Sequence, residues 1–249
     1  PKLLHVKRLA KLSQIRSQTS SLEGALGNVD PWQRFNALLA LRYMNHPHKS
    51  KIAQPLVQDI SPFVRHEALQ ILIKDKQWEA LKKLVSATGR IDVKLTAVRI
   101  LADLKDPSLG PLFIQLLEDK SLDTEFRAEL LCALPRLYPV GNPKLFSIIE
   151  TLLCCPNTPA ELRHAATLCH TECGGPRGVI VVSLTKLIKH LSRDPASSKA
   201  ERMVIRASAH SLRGSSVSEH KEILKELKQQ PWITAELARI VDRSLRQHG

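Results

Sequence analysis

The chain has 249 residues, 43% of them hydrophobic and 24% charged; that mixture can bury a core and excludes a disordered polyelectrolyte. Aromatic residues make up only 4%, which excludes an array of stacking platforms for bases or sugars, and no apolar run approaches the roughly 18 residues of a membrane span. The net charge of +13 would favour acidic partners, but it is unevenly spread: residues 1–29 hold five basic and one acidic residue, residues 176–214 eight and two, and residues 90–175 nine and eleven. Two separated basic regions are not the unbroken stripe that tracking a phosphate backbone would use.

In chain order, Leu4, Leu9, Leu12 and Ile15 predict a helix within residues 2–17, preceded by Pro1 as in an excerpt and studded with Lys2, Lys7, Arg8 and Lys11. It lacks the compact apolar region of a secretory signal. Residues 1–19 are therefore read as a capping helix and residues 20–249 as a single repeat array. Within the array a short pattern recurs, an apolar or small residue, then a basic one, usually with Ala three further on. The basic residue is Arg34, Arg65, Lys94, Arg127, Arg163 and Arg206, at gaps of 31, 29, 33, 36 and 43, with a degenerate copy at Leu237-Ala238. A period near thirty suits two short helices per unit.

The first helix of each unit is marked by apolar residues at helical spacing: Ile52, Leu56 and Val57; Trp78, Leu81, Leu84 and Val85; Leu112, Phe113, Leu116 and Leu117. The pattern continues with Leu145, Ile148, Ile149 and Leu152, then Leu184, Leu187, Ile188 and Leu191, then Ile223, Leu224 and Leu227. Helix starts are written as a capping residue followed by proline, at Asp30-Pro31, Ser61-Pro62, Asp106-Pro107, Asn142-Pro143, Thr158-Pro159 and Asp194-Pro195. The cap oxygen accepts an orphan N–H, and proline at the first helical position forgoes a donor that would be unpaired there. Gly174 and Gly175 suit a helix C-terminus.

The segment Ser61-Pro62-Phe63-Val64-Arg65-His66-Glu67-Ala68-Leu69 resembles the second-helix signature of HEAT repeats, especially the short variety of bilin lyases. The resemblance runs from about residue 20 to the end. It implies an all-α, armadillo-like fold: a right-handed α-solenoid of about seven HEAT-type helix pairs with the extra N-terminal helix, second helices lining the concave side. In this family the basic ladder residues resemble structural ties between repeats, and Asp30 and Asp123 stand four residues before Arg34 and Arg127, a spacing at which the charges can meet on a helix.

HEAT-like deoxyhypusine hydroxylases build a di-iron site from His-Glu pairs just after the ladder position. Here only His66-Glu67 keeps such a pair; the others read Phe35-Asn36, Leu95-Thr96, Ala128-Glu129, His164-Ala165 and Ala207-Ser208. One pair cannot hold two irons, and neither metal nor another cofactor is expected. Cys154, Cys155, Cys169 and Cys173, with His164 and His170 nearby, could close around zinc, but the spacing is not that of a Cys-x-x-Cys knuckle. Gly174 to Gly178 lacks the Lys-Ser/Thr ending of a phosphate loop and follows a helix. HEAT-like DNA glycosylases would need aromatic and acidic groups on the concave face, whereas periodicity assigns Trp32, Phe35, Phe63 and Phe126 mostly to the core.

The helix after that turn carries Lys186, Lys189, His190 and Arg193 on one face, with Arg177 before it and Lys199 and Arg202 after it. This is either a solvated outer face or an electrostatic dock for an acidic partner. The sequence leads to the expectation of a non-enzymatic scaffold that binds another protein through its concave face or basic C-terminal third, with nucleic-acid binding through the separated basic patches as the alternative. No catalytic motif is found. Five cysteines, an odd number, point to a reducing, intracellular compartment, cytoplasmic or nuclear.

Overall fold

The computed structural model describes residues 19–138, 142–155, 157–193, 199–213, 215 and 217–247. The helix expected over residues 2–17 and the Asp194-Pro195 start lie outside them. Among the described residues there are fourteen α-helices and no strand, in seven successive pairs. The pairs are α1 (Thr19–Leu26) with α2 (Pro31–Tyr43), α3 (Lys49–Ala53) with α4 (Pro62–Lys74), and α5 (Trp78–Ser86) with α6 (Ile91–Asp103). Then follow α7 (Gly110–Glu118) with α8 (Thr124–Leu137), α9 (Pro143–Cys154) with α10 (Ala160–Glu172), α11 (Arg177–Arg193) with α12 (Lys199–Ser211), and α13 (Ser218–Lys228) with α14 (Ala235–Arg246).

The chain divides into two compact units, residues 1–97 and 98–249, with the division inside α6. In the first unit α2 packs on α1, α3 and α4, and α4 also on α3 and α5. In the second unit the first helices of successive pairs stack on one another, α9 on α11 and α11 on α13, while the second helices stack likewise, α8 on α10, α10 on α12 and α12 on α14. This two-layered stacking of like on like is the packing of a helical-repeat protein.

Burial follows the apolar spacing. Leu38 and Leu41 of α2 and Val64, Ala68, Ile71 and Leu72 of α4 are buried in the first unit; Phe113 and Leu117 of α7 and Phe126, Leu130, Leu131 and Leu134 of α8 are buried in the second. Each large side chain so buried contributes about 1.5–3 kcal/mol. The aromatic expectation holds for Phe126 and fails for Trp32, which is 59% exposed. Its ring lies stacked on half-buried Phe63, centroids 4.5 Å apart, and edge-on to half-buried Phe35 at 5.9 Å. Position on the first turn of α2, beside the cap, places Trp32 at the rim instead of between the layers.

Local chemistry sets the helix ends. The Asp30 carboxylate accepts the Trp32 N–H at 2.9 Å, Asp106 that of Ser108 at 2.9 Å, and Asn142 that of Lys144 at 2.9 Å. Asp106-Pro107 opens a 3₁₀ turn (Pro107–Leu109) leading into α7, and Pro159 stands one residue before α10. Ser61 departs from the pattern: its hydroxyl makes no cap, and its N–H donates to Asp59 at 2.8 Å. The first helix of the second pair also departs, tightening after α3 into a 3₁₀ segment, Gln54–Gln58, that contains Pro55. At the end of α10 the left-handed Gly174 (φ 71°) lets the Gly175 N–H donate back to the His170 carbonyl at 2.8 Å.

Candidate functional site

The ladder residues are placed as follows. Arg34 is buried, its guanidinium forked onto Asp59 with both bonds at 2.7 Å, while its remaining amino group donates to the carbonyls of Asn28 and Val29 at 2.7 and 2.9 Å. Arg65 repeats the arrangement one unit later, donating to the carbonyls of Asp59 and Ile60 at 2.9 Å each and to the carboxylate of Asp92. Each arginine thus joins its own interhelical turn to an aspartate about one repeat further on. Asp30 and Asp123, the aspartates four residues upstream, are occupied as helix caps. That is why the acceptor for Arg34 comes from the following repeat.

Lys94 is buried. Arg127 is half-buried and donates to the Leu117 carbonyl at 3.1 Å. Arg163 is buried, donating to the Cys155 and Thr158 carbonyls at 3.2 Å each. Arg206 differs from the rest: it is exposed and lies 3.7 Å from Glu236 on the surface. Burial raises the carboxyl of Asp59, but the hydrogen bonds from Arg34 and the Ser61 N–H, with the charges of Arg34 and Arg65, outweigh it and hold the group below the ordinary range. The same balance, with Arg65 and Arg90 as the cations, holds Asp92 low.

Of the basic residues after the glycine turn, Arg177, Lys186, Lys189 and Lys199 are exposed and Arg202 is half-buried; the Arg193 side chain lies outside the description. Lys186 lines a cavity. That cavity, about 300 Å³, lies within the second unit between α9, α10, α11 and α12, and its wall includes Cys155, Thr158, Arg163, Lys186, His190 and Glu201. The Lys186 ammonium donates to the Cys154 carbonyl at 3.2 Å, so Lys186 and Arg163 both meet the Cys154–Cys155 backbone at the end of α9. The His190 ring approaches Glu201 at 3.8 Å. Burial lowers the Arg163 guanidinium from its usual value, only partly offset by the charge of Glu201.

Sequence reasoning set Arg163 among the ladder, Lys186 on the helix face and Cys155 among the cysteines without connecting them. A signal existed. Lys186 follows Cys155 by 31 residues, one repeat period, which is the offset of groups stacked on adjacent units.

The cysteines do not gather. Cys169 on α10 and Cys173, which follows its last residue, are buried a turn apart; their mutual hydrogen bond, with burial, pushes the Cys169 thiol up, and the Cys173 thiol also reaches the Tyr138 carbonyl at 3.4 Å. Cys155 is exposed at the cavity: the Asn157 N–H, helped by the hydroxyl and N–H of Thr158, holds its thiol below the usual value. Among the described residues no three His, Cys, Asp or Glu side chains are arranged to hold a metal ion. The His66-Glu67 pair splits, His66 exposed and Glu67 buried 3.0 Å from the Arg42 guanidinium. No described helix is long and apolar enough to cross a membrane.

No family model matches the chain, and no curated protein does. Among solved structures the chain is similar to human deoxyhypusine hydroxylase in complex with glycerol, at 16% identity over 99% of this chain and 98% of that one, with a TM-score of 0.36. It is also similar to an engineered protein, at 17% identity over 92% and 95%, with a TM-score of 0.34. The first comparison corrects the expectation of a non-enzymatic scaffold with nucleic-acid binding as its alternative. A helical-repeat architecture by itself entails neither role.

Proposed function

We propose that the second unit binds a small anionic molecule, a carboxylate or phosphate ester, in the cavity between α9 and α12. The carrying observation is the convergence of the Arg163 guanidinium and the Lys186 ammonium on the end of α9, in a wall that also holds His190 and only one carboxylate, Glu201. A cavity of about 300 Å³ is at the lower end of metabolite-binding sites, which run from roughly 300 to 1,000 Å³. Arg163 is fixed by bonds to two carbonyls, so a ligand loses little to ordering it. The acidic partner suggested by the basic helix becomes, in this reading, an acidic small molecule.

Binding, not turnover, is the role proposed, and the repeats are read as HEAT-type on the strength of the Ser61–Leu69 signature. An intracellular compartment is part of the same proposal and rests on the odd cysteine count.

Calorimetric titration of the full chain with glutarate and with glycerol phosphate tests it. A charge-assisted hydrogen bond contributes about 1.5–3 kcal/mol, so Lys186→Glu is expected to weaken binding about 10- to 100-fold, and added salt to weaken the native protein's binding as well. Equal affinity of Lys186→Glu and the native protein, or no binding of either anion at low salt, overturns the reading.

A further inference from the structure

We infer that Cys155 makes this cavity a capture site for small anionic disulfides, which it takes up by thiol–disulfide exchange into a mixed disulfide. The inference rests on the proposed anion-binding cavity and adds to it a covalent step and a chemical class of ligand.

The geometry places a reactive sulfur beside the groups that would hold the ligand. Cys155 follows the last residue of α9, is exposed, and lines the cavity together with Arg163, Lys186 and His190. Its own carbonyl accepts from Arg163 and the preceding carbonyl from Lys186, both at 3.2 Å, so two cations flank the peptide that carries the thiol. The Thr158 N–H donates to the Cys155 carbonyl at 3.2 Å and closes the turn beside the thiol, and the donors of Asn157 and Thr158 with the positive charge of Lys120 favour the thiolate. Thiolate is the attacking species in exchange, and cations with N–H donors favour it.

The other cysteines lack this combination. Cys169 and Cys173 are buried. Burial and the charges of Glu129 and Glu172 push the Cys132 thiol up. Cys154 is half-buried.

The step balances without another reactant. The Cys155 thiol gives its proton to solvent, and the thiolate attacks one sulfur of the disulfide. A new S–S bond forms as the old one breaks, and the departing thiolate takes up a proton. Cys155 is oxidised and the released half of the ligand is reduced. Carboxylates on the retained half lie against Lys186 and Arg163, which raises the local concentration of an anionic disulfide over a neutral one.

The test uses the full chain, glutathione disulfide as the anionic probe and hydroxyethyl disulfide as the neutral one, read by intact mass and peptide mapping. The expected result is a single glutathione adduct on Cys155, absent in Cys155→Ser and present in Cys132→Ser. Its rate of formation falls about tenfold in Lys186→Ala with the anionic probe and little with the neutral probe. An adduct spread over Cys132 and Cys154, or undiminished in Cys155→Ser, overturns the inference. Absence of any Cys155 adduct while the chain still binds glutarate overturns the inference and leaves the anion-binding reading intact. A Cys155 adduct formed from both probes at equal rates, unaffected by Lys186→Ala, overturns the anion-binding reading on which the inference rests.

Discussion

Replacement of Arg34 by alanine removes two hydrogen bonds to Asp59 and two to the carbonyls of Asn28 and Val29, leaving the carboxylate in a site where its side chain is 7% exposed. Severing a buried ion pair by deleting one partner costs about 3–5 kcal/mol, mostly through the charge left behind. The site lies at a turn where water can enter once the guanidinium is gone, so the expected loss is about 2–4 kcal/mol, reaching somewhat below that range. Urea unfolding of the full chain followed by circular dichroism measures it. Arg34→Lys keeps the charge and loses the fork, and should fall between alanine and native. The double variant Arg34→Ala/Asp59→Ala should cost less than the sum of the two single variants, with a coupling of about 1–3 kcal/mol. A loss under about 0.5 kcal/mol for Arg34→Ala, the range of ordinary surface substitutions, would refute the argument that this arginine ties one repeat to the next.

Acid should destabilise the first unit. Asp59, Asp75 and Asp92 each sit below the ordinary carboxyl range because hydrogen bonds and cations outweigh burial. Their stabilisation is complete above the unfolded-state value of about 4 and is lost as pH falls through the lowered folded values. Urea midpoints measured downward from neutral pH should drop, and drop less in Asp59→Asn. Glu67 opposes this trend: burial raises its carboxyl more than Arg42 lowers it, so its protonation favours folding, and Glu67→Gln should steepen the acid loss. Phe113→Ala in the core of the second unit, a side chain with no exposure, should cost about 3–5 kcal/mol by thermal or urea unfolding. At Gly110 an added Cβ would stand 2.1 Å from the Tyr138 ring; Gly110→Ala should cost about 1–3 kcal/mol, relieved when combined with Tyr138→Ala.

The repeat was legible in the sequence because its punctuation is local. Asp30-Pro31 and Asn142-Pro143 specify a helix start through groups two or three residues apart, and the apolar spacing of α7 to α10 marks the faces that become buried. What escaped is what depends on the neighbouring repeat. The partner of Arg34 was sought at Asp30, four residues away, but a carboxylate engaged in capping is turned toward the helix amides, and Asp59 took its place. Trp32 was assigned to the core by period alone, although its place on the first helical turn leaves it at the rim. The cavity was invisible for a similar reason: Cys155, Arg163, Lys186 and Glu201 come from four successive segments, and only stacking brings them into one wall.

The link from Arg34 to Asp59 and that from Arg65 to Asp92 pair the same residue types about one period apart, the first through both arms of the guanidinium fork and the second through one amino group. Excision of residues 35–65, which fuses Arg34 to the sequence that follows Arg65, would therefore present Asp92 to Arg34 in the role that Asp59 had. The same cut would remove Arg42 and Lys49, the partners of Glu67 and Asp75, so the arginine link can be handed from one module to the next while the neighbouring ion pairs restrict where a module can be cut.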